Sequence, residues 1–283
     1  MFKQRIFNIA RKLLPTHSPD FLIIGAQKSG TTSLHYYLNQ HPNLTGSYPK
    51  ELHYFNRDIH FNKSFGEYKK HFRGIKKKDT LLFEATPAYI YHPGSAELIK
   101  KHLPNTKLIV ILRNPVQRAY SAWNHYSQFF EAEPGVRKVF DETPRTEGNY
   151  LHELYFKNRE VFPTFRECIE IELDLIEKGK GYEPALLRRG VYIDQLKNYW
   201  NYFSKDQVMI IGFRDLTEKK KETLQKIEKF LNIPQYDWDN LIDEPKNVRA
   251  YKEKINEEDR VLLEKFYSEY NLQLEKEVGK LNW

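Results

Sequence analysis

The sequence predicts an α/β fold, a single domain whose central, mainly parallel β-sheet is flanked by helices on both faces. Three observations support this prediction. Short apolar runs alternate along the chain with segments of helical periodicity, which is the pattern of parallel strands joined by crossover helices. The runs are continuously apolar, as in strands covered on both faces. At 283 residues the chain is long enough for one domain to bury a large core.

Each element follows from a local pattern. The predicted strands are Phe21–Ile24, Leu81–Glu84, Lys107–Leu112 and Val208–Phe213, of which Leu81–Glu84 has the weakest pattern. The predicted helices are Thr32–Gln40, Ser95–His102, Val116–Phe129, Phe165–Lys178, Gly190–Phe203, Lys219–Leu231 and Asn256–Val278.

Two segments fall outside this pattern. Residues 1–19 read as a basic amphipathic leader that precedes the domain at 20–283. We expect the leader to form a helix docked on the domain, and the alternative is weak peripheral membrane contact through residues 1–14. Residues 131–150 are rich in Glu, Pro, Gly and Thr and lack an apolar period. We expect them to form a mobile excursion beside a binding cleft.

The composition narrows the classes of function. A net charge of +7 favours an anionic ligand, although a solvated basic surface would give the same number. The single cysteine, Cys168, excludes an intramolecular disulfide and a CxxC pair. The ten histidines form no HExxH pattern, so we expect no catalytic metal. No apolar run reaches the length of a transmembrane helix, and no nucleic-acid-binding motif is present, so we expect no nucleic-acid partner.

The segment GAQKSGTT, Gly25–Thr32, lies between the first predicted strand and the first predicted helix. Backbone N–H groups of such a loop and the helix N-terminus bind anions, and Gly25 and Gly30 allow the positive φ angles and close approach that this requires. The nucleotide-binding pattern GxxxxGK[ST] has its lysine after the last glycine, whereas Lys28 lies two residues before Gly30. The loop therefore predicts a P-loop-like domain that binds an anion through lysine and backbone, without magnesium.

Five motifs, taken in order, carry a family resemblance that covers nearly the whole chain from about residue 20. They are AQKSGTTSLHYYLNQHP, KELHYF, EATPAY, LRNPVQRAYSAW and RRGVYIDQLKNYWNYF. The sequence resembles the sulfotransferases that use 3′-phosphoadenosine 5′-phosphosulfate (PAPS), in particular the heparan-sulfate type and its bacterial relatives. The resemblance implies PAPS as the sulfuryl donor and 3′,5′-ADP as the product.

The resemblance also assigns the donor site. The residues expected to bind the 5′-phosphosulfate are Gln27, Lys28, Ser29, Gly30, Thr31 and Thr32. Arg113 and Ser121, in RNPVQRAYSAW, are expected to grip the 3′-phosphate, for which a guanidinium and a hydroxyl are suitable donors. Lys246 and Arg249, in PKNVRAY, correspond to the family's closing loop and are expected to add phosphate contacts, although the family's glycine is missing there.

Sulfuryl transfer requires removal of a proton from the acceptor and stabilisation of the leaving phosphate. Glu51 in KELHYF matches the family's catalytic glutamate, so we expect it to be the general base. Lys28 is expected to stabilise the leaving group. Lys50, His53 and Tyr89 are expected to contact the acceptor. His53 either orients the acceptor or replaces Glu51 as the base.

Three departures separate the sequence from the heparan enzymes. Ala85 stands where they usually have lysine, Cys168 has no cysteine to pair with, and no apolar run in this sequence corresponds to their membrane anchor. We therefore expect a cytoplasmic, bacterial enzyme whose acceptor is another carbohydrate or a different hydroxyl-bearing small molecule. Two alternatives stay open: a P-loop small-molecule kinase, and a non-catalytic module that binds polyanions.

Overall fold

The computed structural model describes residues 14–56, 64–74, 78–132, 154–156, 159–180, 185–244 and 254–283. The chain forms two compact units. The first comprises Met1–Leu112, Gln195–Asn247 and Leu281–Trp283, and the second comprises Arg113–Asp194 and Val248–Lys280.

The first unit contains a five-stranded sheet. Its strands are β1 (Phe21–Gly25), β2 (Leu44–Gly46), β3 (Leu81–Ala85), β4 (Lys107–Leu112) and β5 (Val208–Gly212). Their order across the sheet is β2-β3-β1-β4-β5, and every neighbouring pair is parallel. Parallel neighbours require crossover connections, as the alternation of apolar runs and helical segments predicts.

Helices connect and flank the strands. In chain order they are α1 (Thr31–Leu38), α2 (Phe65–Lys69), α3 (Ser95–His102), α4 (Pro115–Ala132), α5 (Phe165–Glu177), α6 (Tyr192–Trp200), α7 (Phe213–Glu218), α8 (Lys220–Leu231) and α9 (Glu257–Val278). Helices α1, α2, α3, α7 and α8 belong to the first unit, whereas α4, α5 and α9 belong to the second.

The core of the first unit forms on one face of the sheet. Side chains alternate along a strand, so Phe21 and Ile23 of β1 point to the same face. They pack there with apolar side chains of α1, α7 and α8, among them Leu34, Leu216 and Leu224. The residues between them in sequence, such as Leu22, are equally buried on the opposite face. The continuous apolar runs therefore belong to strands covered on both sides.

The second unit contains a buried carboxylate. Glu172 on α5 is fully buried and accepts hydrogen bonds from the backbone N–H groups of Leu186 (2.6 Å) and Arg188 (3.0 Å). Burial raises the pKa of Glu172. Gly190 follows this turn, and a Cβ there would lie 2.7 Å from the Tyr267 hydroxyl. A glycine is therefore required where α9 packs against the turn.

The structure confirms the predicted α/β class with a parallel sheet flanked by helices. Strand β4 and helix α3 have the predicted bounds, and β3 extends one residue beyond the prediction. The sequence patterns did not predict β2, α2 and α7, which are three, five and six residues long. They also placed a strand residue at Phe213, where α7 begins. Residues 1–13, and residues 133–150 of the predicted excursion, lie outside the described residues.

Candidate active site

The segment that follows β1 is a tight loop at the carboxyl edge of the sheet. The backbone N–H of Ala26 donates to the Ile111 carbonyl of β4 (2.8 Å), and that of Ser29 donates to the Ala26 carbonyl (3.2 Å). Lys28 and Gly30 have φ angles of 67° and 87°. The loop therefore curls in the left-handed region twice before α1 begins, and only Gly30 adopts that conformation without steric cost.

Of the two expected reasons for a glycine here, close approach holds for Gly25 and a positive φ does not. It is not among the residues with positive φ, but a Cβ at this position would lie 2.4 Å from the Cγ2 atom of Ile90. Ile90 also donates its backbone N–H to the Ile24 carbonyl (2.9 Å). The glycine thus allows the segment after β3 to pass close to the end of β1.

The loop presents donors suited to an anion. The Ser29 side chain is fully buried, and its hydroxyl has no hydrogen-bond partner within the described residues. Gly30 is the N-cap of α1, and in the described part of the chain no side chain caps it. Helix N-termini of this kind bind anions through the N–H groups of their first turn. These features fit the 5′-phosphosulfate that the sequence analysis assigns to the loop.

Four predicted site residues lie together beside this loop. The Lys50 ammonium donates to the Thr32 hydroxyl of α1 (3.1 Å) and to Oε1 of Glu51 (2.7 Å). The other carboxylate oxygen of Glu51 lies 3.4 Å from Nε2 of His53. Nδ1 of His53 in turn lies 3.2 Å from the Asn56 side-chain oxygen. Lys50 therefore links the first turn of the phosphate-loop helix to the predicted base.

Glu51 is held in its ionised form. Burial raises its pKa, but the hydrogen bond with His53 and the charge of Lys50 together outweigh burial and lower the pKa of Glu51 to about 2. The Glu51 side chain nevertheless retains 37% of its exposure. A half-exposed, ionised carboxylate beside a lysine can accept a proton from an approaching hydroxyl or amine.

Glu84, to which the sequence patterns assigned no role, lies beneath this cluster. Glu84 is fully buried in β3, on the face opposite the core of the first unit. Its carboxylate accepts hydrogen bonds from the hydroxyls of Tyr68 (2.5 Å), Thr86 (2.5 Å) and Tyr89 (2.6 Å) and from the Leu52 N–H (3.3 Å). Burial raises the pKa of Glu84, and the hydrogen bonds oppose that effect. The motif EATPAY is the available signal, but its spacing does not identify these donors.

The expected acceptor contact of Tyr89 does not fit its position. Tyr89 is fully buried, and its hydroxyl donates to Glu84 and accepts from the backbone N–H of Tyr54 (3.0 Å). Both functions of the hydroxyl are therefore used inside the protein. Tyr89 supports the segment that carries Glu51 instead of facing an acceptor.

The residues predicted for the 3′-phosphate lie in the second unit. Arg113 directly follows β4, and its carbonyl accepts a hydrogen bond from the Tyr192 hydroxyl (2.8 Å). Ser121 is a largely buried residue of α4. Arg118, between them, is fully buried and donates to the Leu186 carbonyl, so its role is structural. The other predicted phosphate contacts, Lys246 and Arg249, lie outside the described residues.

Neither a metal cluster nor a membrane span accompanies these residues in the described ranges. Among the residues that the structure describes, no group of three His, Cys, Asp or Glu side chains is arranged to hold a metal ion. Within the same ranges, every helix is too short or too polar to cross a bilayer.

Comparisons with known proteins agree with the resemblance. Residues 18–257 match the family model described as the sulfotransferase domain. The membrane-associated sulfotransferase kil1 of Dictyostelium discoideum is 27% identical over 307 residues, which cover 90% of this chain and 64% of that protein. The bifunctional heparan sulfate N-deacetylase/N-sulfotransferase 2 of Homo sapiens is 25% identical over 294 residues, which cover 93% of this chain and 30% of that protein. The chain thus spans less than two thirds of the length of these curated relatives.

A solved structure shares the fold. The crystal structure of a sulfotransferase from Alicyclobacillus acidocaldarius has a TM-score of 0.67 to this chain at 24% sequence identity. The match covers 94% of this chain and 98% of that one. At this level of identity the likeness establishes the fold.

Proposed function

The chain belongs to the sulfotransferase domain family, and from that premise we propose that it transfers the sulfuryl group of PAPS to a saccharide hydroxyl or amino group. The observation that carries this proposal is the contact of Lys50 with both Thr32 and Glu51. It joins the start of the phosphate-loop helix to an ionised carboxylate. An enzyme that moves a group between an anionic donor and a protic acceptor needs these two features side by side.

PAPS supplies the sulfuryl group and leaves as 3′,5′-ADP. In our proposal the Ser29 hydroxyl, which has no partner among the described residues, donates a hydrogen bond to the phosphosulfate, as do the N–H groups of the first turn of α1. Lys28, at the crown of the loop, places its ammonium where negative charge grows on the leaving oxygen. Gln27, Gly30, Thr31 and Thr32 complete the loop around the anion. Arg113 and Ser121 hold the 3′-phosphate, with Lys246 and Arg249 as further contacts.

Glu51 removes the proton of the acceptor in this scheme. Its lowered pKa keeps it ionised, but a carboxylate with a pKa of about 2 is a weak base. The Lys50 contact is one cause of that low pKa, so an acceptor or sulfuryl group that draws Lys50 away would raise the basicity of Glu51. His53 holds the second oxygen of Glu51 and so fixes its direction. In the alternative assignment His53 is the base, and the same contact lets Glu51 orient His53.

The saccharide class of acceptor rests on relatives named for heparan sulfate. The human protein compared above carries heparan sulfate N-sulfotransferase in its name, and the alignment covers 93% of this chain. A sugar hydroxyl or amino group presents the proton that Glu51 would accept. The domain bounds 20–283, the cytoplasmic location and the bacterial origin stay predictions from the sequence, as does catalysis without a metal.

Transfer of ³⁵S from labelled PAPS tests this function directly. The full chain, with EDTA present, is offered N-acetylheparosan oligosaccharides, other saccharides and simple phenols. We expect label on at least one saccharide. With that acceptor, Glu51→Gln should lower turnover by about 10²–10⁴-fold because the base is lost. The affinity for 3′,5′-ADP should be unchanged.

The matched control for this test is Glu257→Gln, which removes an exposed carboxylate paired with Arg260 in the second unit. It should leave transfer unchanged. If no saccharide acquired ³⁵S, the proposal that the acceptor is a saccharide would be contradicted. A Glu51→Gln enzyme that retained more than about a tenth of wild-type turnover would contradict the role of Glu51.

A further inference from the structure

We propose that Glu84 is a positioning residue for sulfuryl transfer: through its buried hydrogen-bond network it fixes the backbone that carries Lys50, Glu51 and His53. The inference rests on the proposed function only in treating Glu51 and its neighbours as the reacting groups. The partners of the Glu84 carboxylate are Tyr68, Thr86, Tyr89 and a backbone N–H, so its effect on the reacting side chains passes through the backbone.

Three backbone N–H groups that follow Glu51 donate hydrogen bonds to this network. That of Leu52 donates to Glu84 (3.3 Å) and to the Thr86 hydroxyl (3.1 Å). That of His53 donates to the same hydroxyl (3.4 Å), and that of Tyr54 donates to the Tyr89 hydroxyl (3.0 Å). The hydroxyls of Thr86 and Tyr89 in turn donate hydrogen bonds to Glu84. One carboxylate therefore orients both hydroxyls so that their lone pairs face the catalytic segment.

The orientation matters because a hydroxyl has only one proton. The Thr86 hydroxyl donates a hydrogen bond of 2.5 Å to Oε1 of Glu84, and the Tyr89 hydroxyl donates one of 2.6 Å to the same oxygen. With those protons committed, each oxygen can only accept from the segment. Without the carboxylate, both hydroxyls would be able to rotate. The N–H groups of the segment would then lose partners of defined geometry.

The segment needs such support. His53 has a φ of 53°, in the left-handed region that non-glycine residues seldom occupy. Such a conformation persists only where its surroundings fix it. Phe55, two residues on, is anchored by a hydrogen bond from the Ser95 hydroxyl to its carbonyl (2.8 Å). Between Glu51 and that anchor, the described supports of the backbone are the bonds to Glu84, Thr86 and Tyr89.

Two substitutions separate positioning from charge. Glu84→Met removes both oxygens at similar side-chain length. Glu84→Gln keeps one oxygen, which can accept from Leu52, Thr86 and Tyr89, while its NH₂ can donate to the Tyr68 hydroxyl. Positioning therefore predicts a defect in Glu84→Met and its rescue in Glu84→Gln. A requirement for negative charge predicts a defect in both.

The primary measurement is amide hydrogen exchange of Leu52, His53 and Tyr54 in the full chain. We expect Glu84→Met to accelerate exchange roughly 10- to 100-fold, the range expected when hydrogen bonds supported by a charged group are lost. Glu84→Gln should stay within about threefold of the wild type. With a saccharide acceptor, kcat should fall in Glu84→Met while KM for PAPS changes little.

Glu228→Met is the matched control. Glu228 is also buried in the first unit, and it accepts from the Tyr236 N–H (2.9 Å) and the Trp238 indole N–H (2.7 Å). It should lower the melting temperature as Glu84→Met does but leave exchange at residues 52–54 unchanged. If Glu84→Met fails to fold, Tyr89→Phe replaces it, because that change removes the acceptor of the Tyr54 N–H together with one hydrogen bond to Glu84. Tyr89→Phe should then accelerate exchange at Tyr54.

Three results would overturn the proposal: exchange at residues 52–54 unchanged in Glu84→Met, an equal acceleration in Glu228→Met, or an equal defect in Glu84→Gln. For Tyr89→Phe, unchanged exchange at Tyr54 would do so. None of the exchange readouts needs an acceptor or PAPS. A protein that binds no 3′,5′-ADP would therefore contradict the proposed function and leave the positioning role of Glu84 standing on its own test.

Discussion

At the scale of single residues, charge is concentrated where the reaction is proposed. The Glu51 carboxylate lies within hydrogen-bonding distance of both Lys50 and His53. Most other ion pairs in the described part of the chain lie on the surface, as between Lys178 and Asp174. Surface pairs contribute little to stability. The cluster at Glu51 differs because Lys50 connects it to the phosphate-loop helix.

The lowered pKa of Glu51 predicts how stability depends on pH. The folded protein holds the pKa of Glu51 at about 2, below its ordinary value of 4.5, so the ionised form stabilises the fold. This contribution is complete above pH 4.5 and is lost as the pH falls from 4.5 through 2. The side chain is 37% exposed, so solvent screens its interactions. We therefore expect its contribution to the free energy of unfolding to be that of an exposed ion pair, about 0.2–1 kcal/mol.

Thermal unfolding at pH 7 and pH 3 measures this contribution. Glu51→Gln should lower the melting temperature by about 1–3 °C at pH 7 and by less at pH 3. In a Lys50→Met background the difference at pH 7 should shrink, since one cause of the low pKa is gone. A Glu51→Gln effect that grew on acidification would show that the carboxylate does not stabilise the fold.

At the scale of elements, the turn between β1 and α1 determines the donor site. Gly30 has φ 87° and ψ 14° as the N-cap of α1, and a Cβ there would lie 3.3 Å from Cε2 of Phe213. An alanine at this position must either take a left-handed conformation, at a cost of about 1–2 kcal/mol, or shift the first turn of the helix. A shift would move the N–H groups proposed to hold the phosphosulfate.

Gly30→Ala therefore tests whether the turn between β1 and α1 binds the donor. We expect it to weaken 3′,5′-ADP binding at least tenfold, a loss of about 1.4 kcal/mol. Gly179→Ala is the control, because Gly179 also has a positive φ (68°) but lies at the end of α5, where a Cβ would meet no described atom within 4 Å. Both variants should lose similar stability in thermal unfolding, and only Gly30→Ala should lose affinity, as measured by calorimetry. Equal affinity of the two variants for 3′,5′-ADP would contradict the assignment of the loop to the donor site.

At the scale of the whole molecule, the long continuous apolar runs were predictable and the short elements were not. Lys107–Leu112 is a strand because its consecutive apolar residues suit a position covered on both faces. Leu44–Gly46 is too short for any period to register, and it pairs only with β3 at the edge of the described sheet. Helix α7 interrupts the predicted order because the chain turns into a helix directly at the end of β5.

The candidate site divides in the same way. Lys28, Glu51 and His53 could be singled out because each belongs to a local motif. Glu84 could not, because two of its partners, at positions 52 and 68, come from separate segments that the fold brings together, and the spacing of its own motif does not identify Thr86 and Tyr89 as donors. For the same reason the sequence assigned Tyr89 to an acceptor, although its hydroxyl is used inside the protein. Tertiary hydrogen bonds leave no period in a sequence.

The measurement that tests the central claim most directly is calorimetric titration of the full chain with 3′,5′-ADP in the presence of EDTA. Binding without a divalent ion is predicted, with 5′-AMP at least tenfold weaker because it lacks the 3′-phosphate. Lys28→Met should weaken 3′,5′-ADP binding roughly 10- to 100-fold, the loss expected for a charge-assisted contact. A protein that did not bind 3′,5′-ADP but bound ATP only with Mg²⁺ would contradict the proposed function.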